Sequence, residues 1–376
     1  MTRYEGLLKH LFSLQSKVGK NRNLTAIQKV ATLLGNPHQQ FPTIHIAGTN
    51  GKGSVAFKIA EALRLGGYRV GLYSSPHLFS YRERIKVNED MISKQATVIG
   101  LEKVFALAPK LHFFEISTLL AFDYFANQKV DIAIIETGIG GRLDATNIIL
   151  PILSVITNVE YDHQDILGTT RTAIGTEKGG VIKKRVPILL GPRADLPILR
   201  KISDTKNAPL YLAGVDSREM AKRALEIIQP LFPLDPRSKR EGLSKCLPFR
   251  LDVRNDVLLD VAHNPSGFQY LFDHIKKRFS PKPLYLLLAL AQDKDVSKIV
   301  KLFNHVDEIA LFSSTHPRLR HPSEIADALE KRSYYRWKIF ETASDALRCF
   351  NEKSSPKRIV VAGSFYMMEE VMRYFS

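Results

Sequence analysis

Apolar runs of strand length recur along this chain, and each is followed by a stretch with helical periodicity. In the first half the runs fall at 43–47, 69–73, 130–137, 153–159 and 186–190, with helical stretches at 54–65, 117–127 and 170–182. The alternation predicts parallel strands joined by crossover helices. The runs are apolar almost throughout, as expected when both faces of a sheet are covered. The pattern resumes at 257–261, 284–290, 308–313, 337–340 and 358–362, with helices expected at 267–278, 296–303, 322–331 and 343–352. Between the two series lies 231–248, rich in Pro, Lys, Arg and Ser, which places a domain boundary near Cys246. The expected fold is α/β: a larger domain over 1–245 with a mainly parallel sheet, and a smaller Rossmann-like domain over 246–376.

A chain of 376 residues is long for one domain and comfortable for two. No apolar run approaches the ~20 residues that span a bilayer, so no membrane partner is expected. Residues 1–17 mix charged and apolar positions and read as an amphipathic helix. The two cysteines, Cys246 and Cys349, provide neither a disulfide framework nor metal-ligand spacing, which points to a reducing cytoplasm. A net charge of +16 calls for an anionic partner. No nucleic-acid motif or basic–aromatic stripe accompanies it, and ATP with a polycarboxylate substrate meets the same need.

The strongest local signal is the turn after the first run: Gly48, Thr49, Asn50, Gly51, Lys52, Gly53 and Ser54. Glycines between a strand and a helix let the backbone turn tightly and aim N–H groups at phosphate oxygens. The helix N-terminus adds partial positive charge. Lys52 can reach the β- and γ-phosphates, and the Ser54 hydroxyl can serve the loop or a magnesium ion. The general P-loop spacing is not met strictly, since Ile46 stands where its first glycine belongs and Gly53 separates Lys52 from Ser54.

Further segments follow in order: Ser74-Ser75-Pro76-His77-Leu78 with Glu83-Arg84-Ile85; Glu136-Thr137-Gly138-Ile139-Gly140-Gly141-Arg142-Leu143-Asp144-Ala145-Thr146-Asn147; Asp162-His163-Gln164; Glu177-Lys178-Gly179-Gly180; Asp260-Val261-Ala262-His263-Asn264-Pro265; Asp293-Lys294-Asp295; and Gly363-Ser364-Phe365-Tyr366. Together with the glycine turn, they resemble the folate branch of the Mur ligase superfamily, over most of the chain from Asn23 onward.

The resemblance implies an ATP- and Mg²⁺-dependent ligase. It would activate a carboxylate of dihydropteroate or a reduced folate as an acyl phosphate and join it to L-glutamate. By the same likeness Glu136, His163 and Ser75 hold magnesium, and Lys178 is a lysine that CO₂ carbamylates. Arg250, Asp260 and Asn264 would serve the nucleotide, and His263 the reaction or the incoming glutamate. Ser364 would lie on the glutamate side, with His263 and Asn264 facing an inter-domain cleft. His112, Phe113, Phe114, Glu115, Leu143, Asp144 and Ala145 would line the pteroate site, with a looser match at 21–24. A monomer is expected.

Four positions depart from the family pattern. Met220 replaces an asparagine that contacts adenine, Phe249 and Val261 replace glycines, and Gly179 replaces an alanine. Other readings stay open: a Mur-type ligase acting on a muramyl peptide, a basic ATPase stimulated by nucleic acid, and a nucleotide-binding module without catalysis. The Ser75-Pro76-His77-Leu78 and Leu143-Asp144-Ala145-Thr146-Asn147 segments, with no nucleotide-sugar domain expected before the glycine turn, favour folate over muramyl substrates. Intact Lys52, Glu136, His163 and Lys178 argue against the last.

Overall fold

The computed structural model describes residues 1–15, 23–107, 111–278, 283–334 and 336–376. The chain divides into two compact units, Met1–Cys246 and Leu247–Ser376.

The first unit is built on eight strands: β1 (Thr43–Ala47), β2 (Val70–Tyr73), β3 (Ile85–Val87), β4 (Asp90–Met91), β5 (Ile132–Glu136), β6 (Leu153–Ile156), β7 (Ile188–Leu190) and β8 (Leu210–Leu212). They lie in the order β4-β3-β2-β5-β1-β6-β7-β8. The pairs from β2 to β8 are parallel, and β3 and β4 form an antiparallel edge on β2. Side chains alternate between the faces along each strand. Ile44, Ile46, Ile132 and Ile134 therefore enter a core with the helices Lys52–Leu65 and Ser217–Ile228. Ala133, Ile135 and Tyr73 face the opposite core, against the helices Lys94–Leu107 and Phe113–Asn127.

Topology selects the functional edge. From β1 the chain crosses over the place of β5 to reach β2, and from β5 it crosses over β1 to reach β6. The connections from these two neighbours leave in opposite directions, which opens a crevice at their C-terminal ends. The glycine turn follows β1, and Glu136 ends β5.

The polar stretch before Cys246, where the sequence pattern predicts no element, holds the helix Pro236–Ser244, capped by Asp235. Gly242 of that helix lies against the backbone of Ala62, so the segment is packed onto the helix that follows the glycine turn. Lys58, on the same turn-following helix, donates to the carbonyls of Leu243 and Lys245 at 2.9 and 2.5 Å.

The second unit holds β9 (Asp252–Arg254), β10 (Val257–Leu259), β11 (Leu284–Leu288), β12 (Glu308–Phe312), β13 (Trp337–Phe340) and β14 (Arg358–Ala362). Their order is β13-β12-β11-β14-β10-β9, parallel except for β9. The exits of β10 and β14 are neighbours, which brings Asp260 to Asn264 beside Gly363 to Phe365. No described helix is long and apolar enough to cross a membrane.

Candidate active site

The turn after β1 is fastened from β6. Gly48 has φ +150°, and a Cβ there would overlap the Thr157 hydroxyl, so only glycine fits. Gly51, at φ +80°, caps the helix that begins at Lys52. The Asn158 side-chain oxygen accepts from the amides of Thr49 at 3.0 Å and Asn50 at 2.9 Å. Thr157 donates its hydroxyl to the Asn50 carbonyl at 2.6 Å. The Thr49 hydroxyl accepts from the Glu160 amide at 3.0 Å and donates to the Glu160 carbonyl at 3.2 Å. The amides of Thr49 and Asn50 are thus committed to the fold. Those of Gly51, Lys52, Gly53 and Ser54 lie at a helix start, where intrahelical acceptors are lacking.

Two lysines converge on this turn. Lys52 Nζ donates to the carbonyls of Gly48 at 3.2 Å and Thr49 at 3.4 Å. Lys178, from the helix Arg171–Gly179, donates to the same Gly48 carbonyl at 2.9 Å. It is only 3% exposed. Burial, then the charge of Lys52, pulls its pKa down to about 7, while Asp162 and Asp144 act in the opposite direction.

Glu136 is buried at the end of β5, and its carboxylate accepts from the Ser75 amide at 3.1 Å. His163 follows β6 with φ +48° at the start of the short helix Gln164–Leu167, and its amide donates to Asp162. Ser75, Glu136, the glycine turn and His163 therefore occupy the exits of β2, β5, β1 and β6, four strands side by side. Among the described residues no three or more His, Cys, Asp or Glu side chains gather as a metal cluster. The Glu136 carboxylate and the Ser75 hydroxyl are hard oxygen donors of the kind Mg²⁺ takes, with phosphate oxygens and water completing its shell, whereas the His163 imidazole is a softer ligand.

The expected pteroate segments divide into caps and aromatic walls. Glu115 accepts from the His112 amide at 2.9 Å and closes a capping box on the helix Phe113–Asn127. Phe113 stacks on Phe12 at 5.7 Å with Arg84 over its ring, and the tip of the Phe114 ring lies against Gly138. Asp144 accepts from the amides of Gly138, Ile139 and Thr146 at 2.9, 3.0 and 3.1 Å and from the Thr146 hydroxyl at 2.5 Å. Burial pushes its pKa up against those bonds. Leu143 is half-buried and Ala145 buried beside it. Of the looser match at 21–24, residues 21 and 22 lie outside the described residues.

In the second unit Asp260 accepts from the amides of Leu251 at 2.9 Å and Ala262 at 2.7 Å. Burial raises its pKa, and the charge of Arg250 opposes that shift. The Arg250 guanidinium lies 4.8 Å from the Phe365 ring centre. The His263 Nδ1 is 2.9 Å from the Val261 carbonyl; a carbonyl only accepts, so the ring proton sits on Nδ1. Asn264 accepts from the Gly267 amide at 2.8 Å and caps the helix Pro265–Arg278. Ser364 accepts from the Tyr366 amide at 3.2 Å as a cap.

Sequence reading missed Thr157, Asn158 and Glu160, because 153–159 looks like one continuous strand. The strand ends at Ile156, and the polar pair after it was the available signal. Two of the departures have visible local settings. Phe249 adopts φ +59°, a conformation that suits the family glycine, and is retained with its ring buried beneath Arg254. The terminal methyl of Met220 packs toward Gly191, so this side chain brings no polar group in place of asparagine.

A phosphate-binding turn on one α/β unit, with a second Rossmann-like unit after it, is the plan of a Mur-type ligase. A family model for the Mur ligase glutamate ligase domain matches residues 250–365. The folylpolyglutamate synthase of Lacticaseibacillus casei is 30% identical over 96% of this chain and 96% of its own length. The solved structure of E. coli FolC in complex with DHPP and ADP superimposes with TM-score 0.91 at 26% identity, covering 100% of this chain and 98% of that one. A bifunctional folylpolyglutamate synthase/dihydrofolate synthase with Mn, AMPPNP and L-glutamate bound gives TM-score 0.89 at 27% identity, covering 100% and 98%. The chain belongs to the dihydrofolate synthase/folylpolyglutamate synthase family, and it is an ATP-dependent acid–amino-acid ligase.

The buried Lys178 predicts a pH-dependent cost. Its folded pKa of about 7 lies below the usual 10.5, so the unfolded chain binds more protons between those values. The cost is complete below about pH 7 and fades as pH rises toward the unfolded value. In CO₂-free buffer, Lys178→Met is expected to be more stable than wild type at about pH 6, by on the order of a few kcal/mol. The advantage should vanish by about pH 11, read from urea midpoints at both values. An advantage equal at the two pH values would show that burial of the ammonium is not its source.

Proposed function

We propose that the chain forms an amide between a carboxylate of dihydropteroate or a reduced folate and the amino group of L-glutamate, using ATP. The observation that carries this is the convergence of Lys52 and Lys178 on the Gly48 carbonyl, with Glu136 ending the adjacent strand. Phosphoryl transfer needs positioning and charge neutralisation more than covalent help from the protein. The relatives that hold ADP, AMPPNP, Mn and L-glutamate support the same chemistry for this chain.

The substrate carboxylate attacks the γ-phosphorus, ADP leaves, and an acyl phosphate forms. The glutamate nitrogen then attacks the acyl carbon, phosphate departs and the amine loses a proton. Lys52 leaves its loop carbonyls to meet the β- and γ-phosphates, and the amides of Gly51 to Ser54 cradle them. Glu136, His163 and Ser75 would hold Mg²⁺, which neutralises phosphate charge when bound. Arg250, Asp260 and Asn264 serve the nucleotide; His263 and Ser364 serve the incoming glutamate. Phe113, Phe114 and the 143–145 segment wall the pteroyl ring, with His112 and Glu115 fixing the start of the Phe113 helix. The enzyme works as a monomer on small molecules, with no nucleic acid, in a reducing compartment that suits free Cys246 and Cys349.

Purified protein with ATP, Mg²⁺, glutamate and either dihydropteroate or tetrahydrofolate should yield a product heavier by one glutamyl residue. Lys52→Ala should lower that rate by roughly a hundredfold or more while remaining folded. A muramyl acceptor should not turn over, and added DNA or RNA should leave the rate unchanged. Product only with the muramyl acceptor, a polynucleotide-dependent rate, or a folded Lys52→Ala enzyme at full rate would each overturn the assignment.

We further propose that Lys178 is carbamylated. An amine whose pKa is held near neutrality is partly unprotonated at physiological pH, and the neutral amine adds CO₂ with loss of a proton. The resulting anion replaces one of two crowded cations. A carbamate ¹³C resonance should appear in ¹³C-bicarbonate, strengthen as pH rises through about 7, and be missing in Lys178→Met. The same spectrum from wild type and variant would remove the idea.

A further inference from the structure

Arg84 is 7% exposed, yet no carboxylate pairs with it among the described residues. Its Nε donates to His77 Nδ1 at 2.7 Å, and its guanidinium lies 5.1 Å from the Phe113 ring centre. An imidazole that accepts at Nδ1 carries no negative charge and does not neutralise the cation. Tyr73 and Tyr81 are close enough that the Arg84 charge acts on both phenols, but burial raises both pKa values and keeps them neutral. A buried charge without a counter-charge is costly, and an anionic ligand would offset that cost.

The location says which anion. The Arg84 carbonyl accepts from the Ser74 amide at 3.0 Å, and the next residue, Ser75, donates its amide to Glu136. Arg84 therefore belongs to the loop on the Glu136 side of the site, while its guanidinium covers the aromatic wall at Phe113. A planar guanidinium both stacks on rings and forks onto carboxylates. A pteroyl acceptor presents that pair of features: a ring system, with carboxylate at the end away from the pterin.

We propose that Arg84 anchors a carboxylate of the pteroyl acceptor beside the Phe113 ring. The anchor rests on the ligase activity proposed above. Two carboxylates share this chemistry: the benzoate of dihydropteroate and the glutamyl tail of a folate.

Calorimetric titration separates these cases without turnover. Wild type, Arg84→Met and Arg84→Lys are titrated with dihydropteroate, with its carboxamide, with a reduced folate and with that folate amidated at its tail. Wild type should prefer carboxylate over carboxamide by about 30-fold or more, the scale for truncating one side of a buried charge pair. Arg84→Met should lose that preference and Arg84→Lys retain part of it, with ATP affinity unchanged and Tm not lowered in either variant. Discrimination lost in the dihydropteroate pair assigns the benzoate; discrimination lost only in the folate pair assigns the tail. Full discrimination in Arg84→Met, or a parallel fall of ATP affinity and Tm in both variants, overturns the anchor. Wild type that binds no pteroyl compound overturns the proposed function itself.

Discussion

At Gly48 the backbone runs so close to the Thr157 hydroxyl that no side chain fits, and its carbonyl is turned toward two lysine side chains. The features of the first unit's edge follow from that close approach. Thr157 and Asn158 can fasten the turn only because the loop lies against the exit of β6. With the loop fixed, the helix start at Lys52 has a set direction, and Lys178 can reach across from its own helix. The low pKa of Lys178 is a consequence of the same crowding, since burial and Lys52 both disfavour a second ammonium there.

Such a site is electrostatically unfinished by itself. Two lysine side chains share one neutral carbonyl, and Asp162 and Asp144 offset only part of what burial and Lys52 cost the Lys178 ammonium. A nucleoside triphosphate supplies several negative charges at the position the loop faces, where Lys52 can meet them. Donors held in place before the substrate arrives need little rearrangement in the transition state. On the acceptor side the buried Arg84 cation pairs with no carboxylate among the described residues.

Much of this was legible in the sequence. The apolar runs located most of the parallel strands, because a run covered on both faces leaves an unmistakable composition. The glycine turn and Glu136 were legible because their positions at strand ends imply chemistry. Less visible were elements whose stability comes from tertiary contact. Strand β4 has two exposed residues and exists by pairing with β3. The helix Pro236–Ser244 is too polar to show an apolar pattern and is held by packing on Ala62 and by the bonds of Lys58. Asn158 was hidden by an apolar run that does not reveal where the sheet releases it. The resemblance suggested Asp144 as a ligand contact, and only coordinates show its carboxylate accepting from three amides and a hydroxyl.

The most direct measurement is Mg–ATP affinity of Gly48→Ala by calorimetric titration, with circular dichroism confirming that the sheet persists. A methyl group at that position must displace Thr157 and with it the turn, so affinity should fall by roughly a hundredfold or more. A folded Gly48→Ala protein that binds Mg–ATP as wild type does would contradict the claim that this close approach organises the site.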